Sequence, residues 1–146
     1  MKEVKILLVE DNEGDILLTI KALQEAEVHN SIDVVKDGEK AVQFLKKQGT
    51  YVDVETPGLI LLDINLPRLN GKEVLHIIKS DDKLKHIPVI MLTTSNSESD
   101  ILESYNYHAN CYLTKPDNFL DFIEVGDSIK RFWFSTVKLP VAKYDS

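Results

Sequence analysis

The sequence predicts an α/β fold, a doubly wound five-stranded parallel sheet of order 2-1-3-4-5 with five helices. Three observations predict it. Leu59-Ile60-Leu61-Leu62 is an unbroken aliphatic run, the pattern of a central strand covered on both faces. Further strand-like runs at 4–9, 32–35, 89–92 and 110–114 alternate with segments of helical periodicity, and such alternation marks parallel strands joined by crossovers. Lastly, the runs end in residues able to do chemistry: Glu10-Asp11, Asp63, Thr93 and Lys115. In an open parallel sheet those ends share one edge, where such folds place their ligands. Right-handed crossovers leave few topologies. The order given sets the short second strand at an edge and the apolar first and third strands in the middle.

The first strand, Val4 to Val9, runs straight into Glu10-Asp11-Asn12. Asp11 or Asn12 caps the helix that follows, Glu13 to Ala26, whose apolar face is Ile16, Leu17, Ile20 and Leu23. After the short strand Ile32 to Val35, Asp37-Gly38 opens a helix with Ala41, Phe44 and Leu45 inward, stopped near Gly49. Residues 50–57 form a polar, irregular connection, and Pro57-Gly58 delivers the central strand. The loop from Asp63 through Pro67 and Asn70-Gly71 leads to a helix carrying Val74, Ile77 and Ile78. His86-Ile87-Pro88 opens the strand Val89 to Leu92, with Pro88 where a missing N–H does little harm. Ser97 and Asp100 make a capping-box-like start to a helix over 100–107. Only Ile101, Leu102 and Tyr105 anchor it, so it reads as the least firmly held helix. Asn110 to Thr114 is the fifth strand, ended by Lys115-Pro116. A long helix from Asn118 to about Phe134 buries Phe119, Phe122, Ile123, Ile129, Phe132 and Trp133, ahead of a partly apolar tail, Val137 to Ser146, through Leu139, Pro140 and Val141.

With 146 residues and no repeat or low-complexity tract, the chain makes one domain. A net charge of −7 with scattered acids excludes the basic stripe that a nucleic-acid surface needs. The apolar stretch Ile6 to Val9 is too short for a signal peptide or a membrane span. The lone cysteine, Cys111, forms no internal disulfide and fits a reducing cytoplasm. Lying in an apolar run, it reads as a packing residue. His29, His76, His86 and His108 lack zinc-ligand spacing and a neighbouring nucleophile, and read as surface or cap residues.

Glu10, Asp11 and Asp63 brought to one edge repel strongly unless a cation neutralises them. Oxygen ligands with room left for water suit Mg²⁺ or Mn²⁺. Lys115 adds a fixed positive charge and Thr93 a hydroxyl. Such a set is built to receive a phosphoryl group, with Asp63 the nucleophile that becomes an acyl phosphate. Any one of these residues alone is as readily a cap or a salt-bridge partner. Their joint placement at strand ends favours the site.

Val9-Glu10-Asp11-Asn12, Leu61-Leu62-Asp63-Ile64-Asn65-Leu66-Pro67, Leu92-Thr93-Thr94-Ser95 and Tyr112-Leu113-Thr114-Lys115-Pro116 together resemble the CheY-like receiver domain of two-component response regulators, over about residues 3–134. The resemblance implies a flavodoxin-like fold and phosphorylation of Asp63 from a phosphohistidine on a sensor histidine kinase. It implies that Glu10, Asp11, Asp63 and the carbonyl of Asn65 hold Mg²⁺, and that the Lys115–Pro116 bond is cis. Thr93 and Tyr112 match the family's switch pair. The phosphoryl group draws the Thr93 hydroxyl inward and the Tyr112 ring follows, beside the weakly held fourth helix. Asn65 and Ser95 flank the path of attacking water and set the dephosphorylation rate. The function implied is signalling by phosphorylation-dependent conformational change and protein–protein contact. Catalysis extends only to the protein's own phosphotransfer and autodephosphorylation.

Within that family, Asp15, the long connection over 50–57, and Phe132-Trp133-Phe134 through Leu139-Pro140 resemble the stand-alone regulators of bacterial phytochromes, which implies a phytochrome-like kinase. On this reading residues 1–134 are the receiver domain, 135–146 a tail with no effector domain, and output passes to a protein partner. The aromatic final helix and tail are either a self-association face, giving a homodimer through the fourth and fifth helices, or simply core. Three departures stand out. Glu10 replaces a common aspartate, leaving direct and water-bridged metal contact both open. His108 replaces a glycine where a positive φ is wanted. Asp117 replaces the phenylalanine common after Lys-Pro and reshapes the start of the last helix. The charge pattern that pairs DNA-binding members is not evident. Two rivals fit less well. An aspartate-based phosphohydrolase carries its nucleophile after the first strand. A flavin- or nucleotide-binding module needs an anion cradle there, where Glu10-Asp11-Asn12-Glu13 repels anions.

Overall fold

Runs of four apolar residues leave no face fit for water. Accordingly β1 (Ile6–Val9) and β3 (Leu59–Leu62) are buried at every position in a computed structural model of the protein, which describes residues 3–134 and 138–140. The two strands pair in parallel, Ile6 with Leu59 and Val9 with Leu62. β2 (Ile32–Val35), β4 (Val89–Thr93) and β5 (Cys111–Thr114) complete a sheet of order β2-β1-β3-β4-β5, parallel throughout, as expected. The crossovers hold α1 (Glu13–Glu25), α2 (Gly38–Leu45), α3 (Gly71–Ser80) and α4 (Glu98–Asn106), and α5 (Phe119–Ile129) follows β5. Because side chains alternate along a strand, the sheet feeds two cores. Leu7, Val9, Ile60 and Leu62 meet Phe44, Val74 and Ile78 on one face. Ile6, Leu8, Leu59 and Leu61 meet Ile16, Leu23 and Ile129 on the other.

Helix starts follow local chemistry. Of the two cap candidates for α1 it is Asn12 that accepts the Asp15 N–H. Asp37, Ser97 and Asn118 cap α2, α4 and α5 in the same way. Asn70 and Glu73 form a reciprocal capping box on α3, whereas at α4 only the Ser97 half forms. Each cap contributes about 1 kcal/mol. Two glycines permit close approach. A Cβ on Gly71 would lie 1.9 Å from the Asp63 carbonyl oxygen, and one on Gly126 would lie 2.5 Å from that of Ala22.

Several expectations need correction. Leu17 is 57% exposed, because the approach of Gly126 to Ala22 turns Thr19 and Ala22 inward in its place, beside the expected Ile16 and Leu23. Leu75 is fully buried on α3, while Ile77 is only half-buried. On α4, Leu102 and Tyr105 are 62% and 48% exposed, and Ser104 is its one buried residue, so the apolar anchoring is weaker than expected. The last helix stops at Ile129 and gives way to a π-helical turn over Lys130–Phe134. The wider turn changes the facing of the aromatic run. Phe132 stands 52% exposed, edge-on to Trp133 at 5.2 Å between centroids, and Phe119 is also exposed. Among the described residues no peptide bond is cis. Lys115–Pro116 is therefore trans, the lower-energy isomer for a proline bond. A 3-10 turn, Gly49–Tyr51, interrupts the long connection, and Tyr51 packs against Phe44. In the tail, Leu139 is half-buried and Pro140 exposed. Val137, Val141 and the rest of the tail to Ser146 lie outside the described residues. No helix among the described residues is long and apolar enough to cross a membrane.

His108 has φ +71°, as its place after α4 requires. Its N–H reaches the Tyr105 carbonyl and that of Ala109 reaches Ser104, each at 2.9 Å. A side chain in this left-handed region costs about 1 kcal/mol. His108→Gly therefore raises the midpoint of urea unfolding, with a gain of about 1 kcal/mol.

Candidate functional site

The sheet ladder runs one residue past the strand ends. The Glu10 N–H donates to Val35 O at 3.0 Å, Asp63 N–H to Val9 O at 3.1 Å and Lys115 N–H to Thr93 O at 2.7 Å. Those bonds fix the backbone where strand becomes loop and aim the side chains into the crevice beyond the edge. There Glu10, Asp63, Thr93 and Lys115 are all buried, while Asp11 is exposed at the rim. Carboxylate oxygens of Glu10, Asp11 and Asp63 lie within 4.8 Å of one another. Chain positions more than fifty residues apart thus meet, as the sequence predicts.

Lys115 is the hub. Its Nζ pairs with Glu10, with Asp63 Oδ2 at 2.9 Å and with Asp15 Oδ2 at 2.9 Å. An ammonium has three donors, and three carboxylates take them. The second Asp63 oxygen accepts the Ile64 N–H at 2.7 Å, and the second Glu10 oxygen accepts the Asn12 N–H at 3.2 Å. Burial pushes the Glu10 carboxyl up; its hydrogen bond to Lys115 pulls it back and the Asp63 charge adds to the rise, leaving it at about 7. For Lys115, burial works against the charge. Hydrogen bonds to Glu10, Asp15 and Asp63 outweigh it and hold the ammonium above its ordinary range.

The donor set of Glu10, Asp11 and Asp63 is all oxygen, and so fits a hard divalent cation. Asn65 follows in the same loop, exposed. The Ile64 carbonyl just before it accepts from both Leu66 and Gly71. The histidines stay outside. His76 packs against Tyr107 with the rings tilted, 4.9 Å between centroids, and His108 serves the end of α4.

Thr93 and Tyr112 meet through Ser95. The Thr93 hydroxyl oxygen lies 3.4 Å from the Ser95 N–H, and the Tyr112 hydroxyl donates to the Ser95 carbonyl at 2.8 Å. The Ser95 hydroxyl donates in turn to Asp100 at 2.5 Å. Asp100 also pairs with Lys72 of α3 at 2.8 Å, and Lys72 reaches Glu103 at 2.7 Å. Hydrogen bonds from Lys72 and then Ser95 lower the Asp100 carboxyl. Charge, where apolar packing is thin, ties α4 to α3. The sequence reading gave Asp15 no role at the site and left Lys72 out. The signal for Asp15 was its place in the first helical turn beyond the acidic pair; Lys72 had none, since its partners lie 28 and 31 residues away.

Residues 6–125 match the response regulator receiver domain family. The chain is 45% identical over 137 residues to the response regulator Rcp1 of Synechocystis, covering 94% of this chain and 93% of that protein. The crystal structure of the phosphorylated cyanobacterial phytochrome response regulator RcpA superposes with a TM-score of 0.91 at 46% identity, over 96% of this chain and 100% of that one. The Mn²⁺-bound form of Rcp1 superposes with a TM-score of 0.89 at 44% identity, over 94% and 99%.

Proposed function

The chain belongs to the response regulator receiver domain family of two-component signalling, and from that membership we propose that it takes a phosphoryl group on Asp63 from a sensor histidine kinase. One observation carries the reading: Asp63 is buried at a strand end, bonded to Lys115 and clustered with Glu10 and Asp11.

Bonds from Lys115 and the Ile64 N–H to separate Asp63 oxygens hold the carboxylate in one orientation. An Asp63 oxygen attacks phosphorus and the P–N bond to the donor imidazole breaks. Its electron pair stays on the ring nitrogen, and Asp63 is left as an acyl phosphate. Glu10, Asp11 and Asp63, with the Asn65 carbonyl, would hold Mg²⁺ or Mn²⁺, which supplies positive charge toward the phosphoryl oxygens when bound. Lys115 then donates to a phosphoryl oxygen, and the Thr93 hydroxyl turns to the same group. Ser95 shifts with Thr93, Tyr112 follows, and the bond from Ser95 to Asp100 loosens at the start of α4. The side chains of Asn65 and Ser95 flank the line of attacking water and govern hydrolysis of the phosphate.

Residues 1–134 act as the receiver domain in the cytoplasm, and the output is protein contact. Exposed Leu102 and Tyr105 on α4, with Phe119 and Leu120 on α5, support a homodimer through that face. The likeness to RcpA, a phytochrome response regulator by description, supports a phytochrome-type kinase as donor. In the test, such a kinase labelled on its histidine passes the label to this protein within minutes in Mg²⁺, as an acyl phosphate that hydroxylamine removes. Steady release of phosphate from a small ester, with no labelled protein, would favour a phosphohydrolase instead.

The Glu10 carboxyl adds a pH dependence. Its folded pKa of about 7 lies above the ordinary glutamate value of 4.5. In the metal-free protein its contribution to stability is therefore present below pH 4.5 and lost as pH rises through about 7. A cation must displace that proton, so Mg²⁺ affinity falls about tenfold between about pH 8 and about pH 6. Calorimetric titration in two buffers of different ionisation heat measures the affinity and the proton released.

A further inference from the structure

Three carboxylates share the Lys115 ammonium, but they are not alike. Glu10 and Asp63 are buried and belong to the acidic cluster that fits a cation. Asp15 sits outside that cluster, in the first turn of α1, with its side chain 26% exposed. Its bond to Lys115 is as short as that of Asp63, 2.9 Å. An acid in a first turn is often explained by the helix dipole alone. Glu13 already meets that description, pointing outward with a side chain 74% exposed. Asp15 instead turns inward, across a hundred residues of sequence, to the lysine.

The ammonium and a divalent cation compete for the same two carboxylates. While Lys115 is bonded to Glu10 and Asp63, its charge opposes a cation arriving at those oxygens. Once a cation takes them, Lys115 needs another acceptor or is left buried with its charge unpaired. Asp15 is that acceptor. Building on the cation and phosphoryl reading above, we infer that Asp15 is a positioning residue: it holds the Lys115 ammonium at the rim while Glu10 and Asp63 turn to a divalent cation. Cation affinity then depends on Asp15 through Lys115. The rate of phosphoryl transfer with the cation site full does not.

Calorimetric titration of Mg²⁺ into the whole protein tests this with Asp15→Asn, Lys115→Met, the double variant and Asp15→Glu. Asp15→Asn weakens Mg²⁺ about fivefold in the natural background and less than about twofold when Lys115 is Met, because the two act as one unit. Asp15→Glu, which keeps the charge, stays within about twofold of the natural protein. The Lys115 ζ-¹⁵N resonance of the metal-free protein moves in Asp15→Asn. Acetyl phosphate labelling at saturating Mg²⁺ changes less than about twofold. Equal weakening in both backgrounds would mean a general charge effect and overturn the inference, as would an Asp15→Asn variant with unchanged affinity or an unmoved resonance. A natural protein that binds no Mg²⁺ would overturn both this inference and the reading beneath it, whereas the other outcomes strike the inference alone.

Discussion

Asp63→Asn protein incubated with acetyl phosphate and Mg²⁺ takes up no acid-labile phosphate, with labelling slowed more than about a thousandfold. The amide nitrogen is a poor nucleophile at phosphorus, and no other carboxylate holds the same position. Glu10 is bonded to Lys115 and to the Asn12 N–H, and Asp11 stands exposed at the rim. The fold survives the change. An asparagine oxygen still accepts the Ile64 N–H, and Lys115 retains Glu10 and Asp15. Removing one charge from a cluster of buried acids lowers the Glu10 carboxyl, since the Asp63 charge contributes to its rise. The variant therefore remains folded, and Glu10 titrates at lower pH. A hydroxylamine-sensitive label of normal yield on Asp63→Asn would move the acceptor elsewhere.

Lys115→Met has the second-largest effect, and its sign depends on what fills the site. Without the ammonium, Glu10 and Asp63 are left buried with no countercharge. Breaking a buried pair from one side costs about 3 kcal/mol, so the metal-free variant unfolds at lower urea near neutral pH. The Glu10 carboxyl, no longer held down by its bond to Lys115, rises further. Stability returns as pH falls and Glu10 takes up its proton, and is lost as pH rises. Mg²⁺ restores it near neutral pH, because the ion supplies the missing charge. Labelling by acetyl phosphate persists at a reduced rate, since Asp63 is intact. The shifts of Tyr112 and α4 resonances that accompany labelling are blunted, because nothing draws the phosphoryl oxygens toward the fifth strand. A variant as stable as the natural protein without metal would mean that Lys115 is not the counterion of this cluster.

The sheet and the residues at its edge were legible because they depend on local pattern and topology together. A four-residue apolar run ending in Asp63 is visible in the chain, and parallel pairing brings every such end to one side. Faces were harder. Leu17 fits the apolar stripe of α1 by spacing, yet α5 settles against Ala22 through Gly126, and only the partner helix decides which stripe is covered. The final aromatic run reads as helix to Phe134, but periodicity does not foresee a π turn that sends Phe132 outward. Charge networks were the least legible. Lys115 was identified by its strand end, while its pairing with Asp15 depends on where α1 begins its first turn, set by the Asn12 cap. Lys72 reaches α4 only after two crossovers are in place.

Reductive trapping is the most direct test of the acceptor. The protein is treated with acetyl phosphate and Mg²⁺, reduced with borohydride, digested and sequenced by mass spectrometry. An acyl phosphate on Asp63 reads as homoserine at position 63, and chelating the Mg²⁺ beforehand suppresses it. Homoserine at position 10, 11 or 15, or trapping at 63 that is indifferent to the metal, would contradict the account.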